Sequence, residues 1–308
     1  MRNIKNSLFK KKTLLLMCLP AIIFFFVFSY MPLPGLWLAF VNFNYRDGIF
    51  GSKFIGLENF RFLVLSGQLW LLTKNTILYN IAFILIGNFM QITVAILFNE
   101  MVGRFLRVYK KISQSIMFLP YFISAVVIGV FAYNFLNVQT GFINSFLKQI
   151  GHNTINFYSI PEIWPFIIVL AYLWQFTGYG SIVYFAAIMG IDSEMMEASE
   201  IDGANAFQRI RYILLPCLKP TCIILLLFAL GGILKGNFGL FYNLTGSSNT
   251  ALFPTTDIIE TFVFRSLNVN FNFQMGSAVG LYQSLIGFAT VVTVNGIVKK
   301  IEPDYSLF

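Results

Sequence analysis

The chain has 308 residues, of which 57% are hydrophobic and only 11% are charged, and its mean hydropathy is +0.74. Soluble proteins carry about 25% charged residues, and a soluble fold of this length needs a wettable exterior that this composition does not supply. The net charge of +8 is spread over the ends of apolar segments. That spread argues against a nucleic-acid-binding face and favours a membrane protein.

Six apolar segments are long enough to cross the hydrocarbon core of a bilayer, which takes about 20 helical residues. The predicted spans are 13–40, 72–98, 113–136, 163–190, 215–240 and 277–298. The first follows a basic start like that of a signal peptide. Its apolar run is too long and no small-residue cleavage site follows, so we expect it to be retained. The sequence therefore predicts an all-α integral membrane protein with six transmembrane helices.

The distribution of Lys and Arg predicts the orientation of these spans. Positive residues favour the cytoplasmic side, and they are more numerous in the segments that lie inside when both termini are cytoplasmic. Those residues are Arg2, Lys5, Lys10, Lys11, Lys12, Arg104, Arg107, Lys110, Lys111, Arg209, Arg211, Lys219, Lys299 and Lys300. We predict a cytoplasmic basic N-terminus at 1–12, a transmembrane domain at 13–298 and a cytoplasmic tail at 299–308.

The cytoplasmic connection 191–215 has the pattern of two short helices on the membrane face. Asp192 or Ser193 can cap the first helix, and acidic residues in its first turn complement the positive helix end. Gly203 can adopt positive φ and end that helix. The second helix has an apolar stripe made of Phe207, Ile210 and Leu214, and Pro216 suits the first turn of the next span.

Two absences from the sequence bear on the source of energy. There is no G-x-x-x-x-G-K-[ST] segment to cradle nucleotide phosphates. The predicted spans also contain no Asp or Glu, although proton-coupled transporters usually carry such groups within the membrane. An active transporter built in this way needs a separate subunit that supplies energy, whereas a channel needs no energy source.

The connection itself carries a family pattern. Glu197-Ala198-Ser199, Asp202-Gly203-Ala204, Leu215-Pro216 and Pro220 follow the form E-A-A-x-x-D-G-A, a spacer, then I-x-L-P-x-x-x-P. This pattern resembles the EAA loop of permease subunits of binding-protein-dependent ABC importers. The departure is Ser199 in place of the second Ala, which exchanges one small residue for another.

The resemblance implies the type I ABC importer permease fold, with a first loop helix that docks on a separate ATPase subunit. The implied ATPase-coupling residues are Glu197, Ala198, Ser199, Asp202, Gly203 and Pro216. Small side chains at 198 and 199 permit close approach, and Gly203 sets the angle between the two loop helices. No catalytic residue is expected in this chain, which is interpreted as a transport subunit and not as an enzyme.

Other segments resemble the carbohydrate branch of these permeases, of the maltose type, and most of all the polysaccharide and complex-oligosaccharide permeases of Gram-positive bacteria. They are Leu19-Pro20, Gly48-Ile49-Phe50-Gly51-Ser52, Gly56-Leu57-Glu58-Asn59-Phe60, Asp257-Ile258-Ile259-Glu260-Thr261, Ala278-Val279-Gly280-Leu281 and Tyr305-Ser306-Leu307-Phe308. The implied substrate is an oligosaccharide or a polysaccharide fragment. The implied location is the plasma membrane of a Gram-positive bacterium.

The resemblance also implies partners. They are a second, homologous permease subunit, two ATPase subunits, an extracellular substrate-binding lipoprotein and the carbohydrate itself. ATP and Mg would be bound by the ATPase partner, so no cofactor and no metal are expected in this chain. Nucleic acid is not an expected partner.

A sugar site near the midplane of the membrane needs aromatic faces for stacking and amides or hydroxyls for hydrogen bonds. The candidate pathway residues are Tyr172, Trp174, Gln175, Tyr179, Asn88, Gln91, Lys235, Asn237, Tyr282 and Gln283. Two alternatives stay open from the sequence. Asn88 and Gln91 either line the pathway or hold neighbouring helices together, and Lys235 either lines a cavity or extends to the outer interface.

Three rival functions remain at this stage. The chain could be an ABC permease for a solute other than a carbohydrate, such as an amino acid or phosphate. From another class, it could be a membrane-embedded glycan-processing enzyme, which needs convergent acids or a His at the membrane face. A channel is the third, but it has no use for a loop that docks an ATPase.

Overall fold

The computed structural model describes residues 12–101, 104–246 and 248–301. Within this part of the chain, the membrane-length helices are Leu16–Phe40, Gln68–Glu100, Pro161–Met189, Ala206–Gly231 and Phe273–Lys300, which we call spans 1, 2, 4, 5 and 6. A bent pair, Val108–Phe122 with Ala125–Leu136, forms span 3. The predicted all-α fold is confirmed, with six crossings when the bent pair counts as one span. Residues 1–11 of the predicted N-terminal segment and 302–308 of the predicted tail lie outside the described residues.

Span 1 changes its helical form along its length. It begins as the α-helix Lys12–Phe25, continues as a π-helical turn at Phe26–Tyr30 and ends as the 3-10 segment Leu33–Phe40. Pro32 and Pro34 lie at the change to the 3-10 segment, where each removes an amide donor from the helix. The outer end of span 1 contacts span 6.

A small outer hairpin follows span 1. Strand β1 (Val41–Asn42) pairs antiparallel with strand β2 (Lys53–Phe54), with Val41 opposite Phe54. The buried Asn59 donates hydrogen bonds from Nδ2 to the carbonyl oxygens of Ala39 (2.9 Å) and Val41 (3.2 Å). The remaining short helices of the outer half are Gly48–Gly51, Glu58–Leu65, Phe142–Gln149, Phe238–Thr245, Phe253–Thr256 and Ile259–Asn268, with 3-10 turns at Phe157–Ser159, Pro161–Ile163 and Thr250–Leu252.

Span 3 is not the continuous helix that the sequence predicted over 113–136. The helix Arg104–Phe118 runs into a 3-10 turn at Leu119–Phe122 that contains Pro120, and the helix Ala125–Leu136 leaves at 97°. Proline has no amide hydrogen and its ring clashes with the preceding turn. Ser124 then caps the new helix by accepting a hydrogen bond from the amide of Val127 at 3.5 Å.

Span 5 also differs from its predicted bounds of 215–240. It begins at Ala206, because the second loop helix (Ala206–Arg209) continues through a π-helical turn (Ile210–Leu214) into Leu215–Gly231. The span ends at Gly231, and Lys235 and Asn237 lie in the connection before the separate helix Phe238–Thr245. The placement of these two residues inside a span was therefore wrong.

Spans 2 and 4 lie along one another and form the centre of the fold. The helix of span 4 also approaches span 3 closely at Gly178, where a Cβ atom would overlap the carbonyl group of Met117. Since that neighbour is backbone, it cannot move aside as a side chain can. Glycine is required at this position because it lets the bend of span 3 lie directly on span 4.

We expect Gly178→Ala to destabilise the protein by about 1–3 kcal/mol, the range for overpacking a tight site. The measurement is thermal unfolding of the detergent-solubilised protein. Gly287→Ala is the matched control, because a Cβ atom at that helical position meets open space. Equal melting temperatures for the two variants would contradict the proposed close contact.

Candidate functional site

The first loop helix, Ser193–Ile201, is bounded by the residues that the sequence indicated, and we call it the coupling helix. Asp192 is the N-cap, with its carboxylate accepting a hydrogen bond from the amide of Glu194 at 3.0 Å. Gly203 has φ of +77°, and the amide of Ala204 donates to the carbonyl of Ser199 at 2.9 Å. This bond across the helix end, with a left-handed glycine, is a Schellman-type stop.

The coupling helix presents an exposed face that is acidic and apolar. Glu197, Ala198, Asp202 and Gly203 are all exposed, and Ile201 between them is 87% exposed. These predicted coupling positions therefore lie together on one accessible surface, which we call the docking face.

Ser199 differs from the other predicted coupling residues. Its side chain is buried, and its hydroxyl donates to the carbonyl of Met196 at 2.7 Å. Our interpretation of Ser199 as part of an exposed docking surface with Glu197 and Ala198 does not agree with this position. Its small size instead allows the helix to lie close to the rest of the domain.

Pro216 is exposed and lies inside the continuous helix of span 5, directly after the π-helical turn. The amide of Leu215 donates to the carbonyl of Ile210 across this turn. A π-helical turn widens the helix, which accommodates a proline that can neither donate a hydrogen bond nor fit a regular preceding turn.

An apolar cluster beneath the loop joins it to spans 2, 4 and 5. The cluster contains the buried residues Ala95, Ile96, Tyr184, Ile188, Leu214 and Leu218, with Met196 and Ile210 among its partly buried neighbours. Of the predicted apolar stripe, Leu214 is fully buried, but Phe207 is 70% exposed. Phe207 therefore adds to the exposed surface near the docking face.

A polar contact that the sequence analysis missed also holds the loop. Arg209 pairs with Glu100 at the end of span 2, with Nη2 and Oε2 2.9 Å apart. The sequence placed these residues more than a hundred positions apart. No periodicity or motif relates them, so sequence reasoning offered no signal for the pair.

The predicted pathway aromatics of span 4 form part of a ladder of rings. Tyr172 stacks on Phe83 of span 2, with ring centroids 3.9 Å apart, and Tyr179 stacks on Tyr121 at the bend of span 3, at 4.1 Å. Phe176 contacts both Tyr172 and Tyr121. Tyr179 is 44% exposed and so presents part of its ring at the edge of this ladder.

Trp174 is 45% exposed. Its side chain leaves the helix in a direction different from that of Tyr172, because positions two apart on an α-helix point about 200° from one another. The structure therefore does not place Trp174 with the other pathway candidates of span 4.

The predicted amides near spans 2 and 4 mainly bond to protein groups. Gln175 is buried and donates to the carbonyl of Ile123, at 3.0 Å, in the bend of span 3. Asn88 accepts a hydrogen bond from the hydroxyl of Tyr184, and Gln91 fills the space over Gly180. For Asn88 and Gln91 the structure supports the alternative in which they hold neighbouring helices together.

Gln283 and Asn237 form a second group around the end of span 5, whereas Tyr282 contacts span 2. Gln283 donates from Nε2 to the carbonyl of Leu234 (2.6 Å) and to Glu260 Oε1 (2.7 Å). Asn237 caps the helix Phe238–Thr245 by accepting from the amide of Leu240 at 3.1 Å. The hydroxyls of Tyr282 and Thr73 share a hydrogen bond at 3.0 Å.

Glu260 is a further residue of this second group, which the sequence analysis named in a segment of family resemblance but not among the pathway candidates. Its Oε1 accepts from the amide of Gly236 at 2.6 Å, while its Oε2 is buried without a hydrogen-bond partner. A cavity of about 320 Å³ beside it is lined by Lys235, Gln283 and Ser284 among others. Lys235 therefore lines a cavity at the end of span 5 that also exposes apolar surface.

The helical membrane fold and its capped cytoplasmic loop define the transmembrane subunit of a transport system. Residues 91–307 match the family described as the binding-protein-dependent transport system inner membrane component, and the chain belongs to this family. The resemblance seen in the loop is thereby confirmed.

Similar proteins cover nearly the whole chain. Protein LplB of Bacillus subtilis (strain 168) is 29% identical over 298 residues, which cover 97% of this chain and 92% of LplB. The polygalacturonan/rhamnogalacturonan transport system permease protein YteP of the same organism is 30% identical over 294 residues, covering 96% and 90%. A chain in the crystal structure of a bacterial ABC transporter involved in the import of the acidic polysaccharide alginate matches with a TM-score of 0.85 and 31% identity, covering 97% of this chain and 99% of that one.

We expect Gly203→Ala to strain the end of the coupling helix, because a left-handed conformation costs a residue with a Cβ atom about 1–2 kcal/mol. Hydrogen exchange measured by mass spectrometry should show faster exchange over 198–205 in this variant. Gly203→Asn is the control, since Asn tolerates the left-handed region better. If both variants exchange like the unchanged protein, the helix stop does not depend on this conformation.

Proposed function

We propose that this chain is the permease subunit of an ATP-driven importer that moves oligosaccharides or polysaccharide fragments across the plasma membrane of a Gram-positive bacterium. An extracellular binding lipoprotein delivers the solute. A second, homologous permease subunit completes the pathway, and two separate ATPase subunits bind ATP and Mg. This chain has no catalytic residue in the proposal.

The observation that carries the solute class is the ladder of rings from Phe83 through Tyr172, Phe176 and Tyr121 to Tyr179. Aromatic rings suit the apolar faces of sugar rings, and a partly exposed edge such as that of Tyr179 leaves a face for a solute. The names of the relatives agree with this solute class, since YteP belongs to a polygalacturonan/rhamnogalacturonan system and the matched structure imports alginate.

The docking face supports the coupling role. Its acidic residues Glu197 and Asp202 and the exposed Ile201 would complement a partner groove with basic residues at its edge and an apolar floor. The coupling helix is anchored to the domain by the apolar cluster beneath it. A push on the docking face is therefore transmitted to the spans and not absorbed by a loose loop.

The proposed mechanism is alternating access. ATP binding closes the ATPase pair and moves the two docked coupling helices together, so that the two permease subunits open outward and accept the solute. Hydrolysis resets them inward. In this scheme the present chain supplies the pathway and the mechanical link, and the partner supplies the energy.

The coupling role is tested by co-purification of the ATPase with Ala198→Arg. Because Ala198 is exposed, the change leaves the fold intact, but it adds bulk and positive charge to the docking face, so recovery of the ATPase should fall at least about tenfold, a loss of roughly 1.4 kcal/mol. Ala251→Arg, at an exposed position on the outer side, is the control. If no ATPase accompanies the unchanged chain, or if Ala198→Arg retains it fully, the coupling role is wrong.

The solute class is tested by uptake of labelled oligosaccharides with Tyr179→Ala and Tyr179→Phe. Loss of the ring should raise the KM for uptake by about 2- to 10-fold, the effect of losing one aromatic contact of 0.5–1.5 kcal/mol, whereas Phe keeps the stacking face and should retain uptake. Uptake of an amino acid or phosphate in place of sugars would favour the rival importer. Chemical change of the glycan without transport would favour an enzyme.

A further inference from the structure

Arg209 lies at a junction between the coupling loop and span 2. Its Nη2 is 2.9 Å from Glu100 Oε2, and its Nη1 is 3.9 Å from Glu200 Oε1 of the coupling helix. The same Nη1 donates to the carbonyl of Ala204, at 3.5 Å, in the turn that follows. One guanidinium group therefore contacts the coupling helix, the turn behind it and the end of a different span.

The junction matters because of how the chain is connected. The coupling helix follows span 4 and precedes span 5 in the chain, so both move with it through covalent bonds. Span 2 ends at Glu100 and has no such connection. Among the described ion pairs, that of Arg209 and Glu100 joins the loop to span 2, and the apolar cluster beneath the loop provides the non-polar contact between them.

The ion pair of Arg209 and Glu100 is largely shielded from solvent, which strengthens it. The side chains of Arg209 and Glu100 are only 18% and 20% exposed, whereas that of Glu200 is 66% exposed. Separation of a shielded, hydrogen-bonded charge pair costs free energy, because each charge is then left poorly solvated and without its partner. The contact of Arg209 with Glu100 is therefore the stronger of the two ion pairs, and the longer contact with Glu200 is the weaker one.

Span 2 is also the element that connects this junction to the candidate pathway. It carries Phe83 of the aromatic ladder. It also carries Asn80, whose Nδ2 donates to the carbonyl of Ile233 at 3.0 Å, in the connection that follows span 5. Movement of the inner end of span 2 therefore reaches both groups of pathway candidates along one rigid helix.

We propose that Arg209 is a positioning residue that binds the coupling loop to span 2, so that the two move as one body during the transport cycle. This inference rests on the proposed function, because it assigns a route for the movement that begins at the docking face. Without the ion pair, the inner end of span 2 follows the coupling helix only through the packing of span 2 on span 4 and through the apolar cluster beneath the loop. ATP hydrolysis then continues while transport declines.

The test uses the complete transporter, with its partner permease, ATPase and binding lipoprotein, reconstituted in lipid vesicles. The variants are Arg209→Gln, Glu100→Gln and the reversed pair Arg209→Glu with Glu100→Arg. Arg211→Gln is the matched control, since Arg211 is exposed and two positions away in the same helix. The quantities measured are oligosaccharide uptake, ATP hydrolysis and the amount of co-purified ATPase.

We expect each single variant to retain the ATPase and its hydrolysis while uptake per ATP hydrolysed falls about fivefold or more, the lower range of coupling between sites. The reversed pair should recover part of that ratio, and Arg211→Gln should leave it unchanged. A ratio equal to that of the control in both single variants overturns the proposal. Loss of the ATPase from these variants also overturns it, since it shows a role in assembly and not in coupling.

The two proposals fail in different ways. If the unchanged chain retains no ATPase, the proposed function itself is wrong. If the unchanged chain couples hydrolysis to uptake and Arg209→Gln does so equally well, only the role of Arg209 is wrong.

Discussion

Within a bilayer there is no water to hydrogen-bond the backbone groups that a broken helix leaves unpaired, so the protein itself must supply their partners. This constraint explains the placement of several polar side chains in the domain. Span 3 bends at Pro120 and span 5 ends at Gly231, so each interruption frees carbonyl groups. Side-chain amides satisfy several of them. Gln175 donates to Ile123, Asn80 to Ile233, and Gln283 to Leu234. These polar residues therefore stabilise the irregular backbone by bonding to carbonyl groups that a regular helix would satisfy.

This division changes how the candidate pathway is understood. Amides and aromatics were assigned together from the sequence, because both residue types suit a sugar. The structure separates them, since Gln175 and Asn88 bond to protein groups while the rings of Tyr172 and Tyr179 stack with rings from spans 2 and 3. The cavity lined by Lys235, Glu260 and Gln283 forms a second region at the end of span 5. The candidate pathway residues therefore include an aromatic group between spans 2, 3 and 4 and a group with charged side chains at the end of span 5.

The cytoplasmic loop combines local and distant stabilisation. Its helix start and stop depend on neighbouring residues, Asp192 and Gly203, which set the shape of the coupling helix. Its attachment to the domain depends on residues far apart in the chain, namely the apolar cluster around Leu214 and the pair of Arg209 with Glu100. The loop is therefore capped locally and also attached to spans 2, 4 and 5 by contacts between residues far apart in the chain.

The sequence by itself determined that the protein lies in a membrane, how many apolar segments cross it, where the coupling helix begins and ends, and the family. These properties depend on composition, on apolar runs and on local capping, which are all readable along the chain. Only the tertiary structure decided that span 3 is bent, that Lys235 and Asn237 lie beyond span 5, that Ser199 faces inward and that Glu260 and Arg209 are placed at junctions. Those features depend on which distant carbonyl or charge each side chain meets, because a polar group in the membrane takes the partner that the packing of the helices provides.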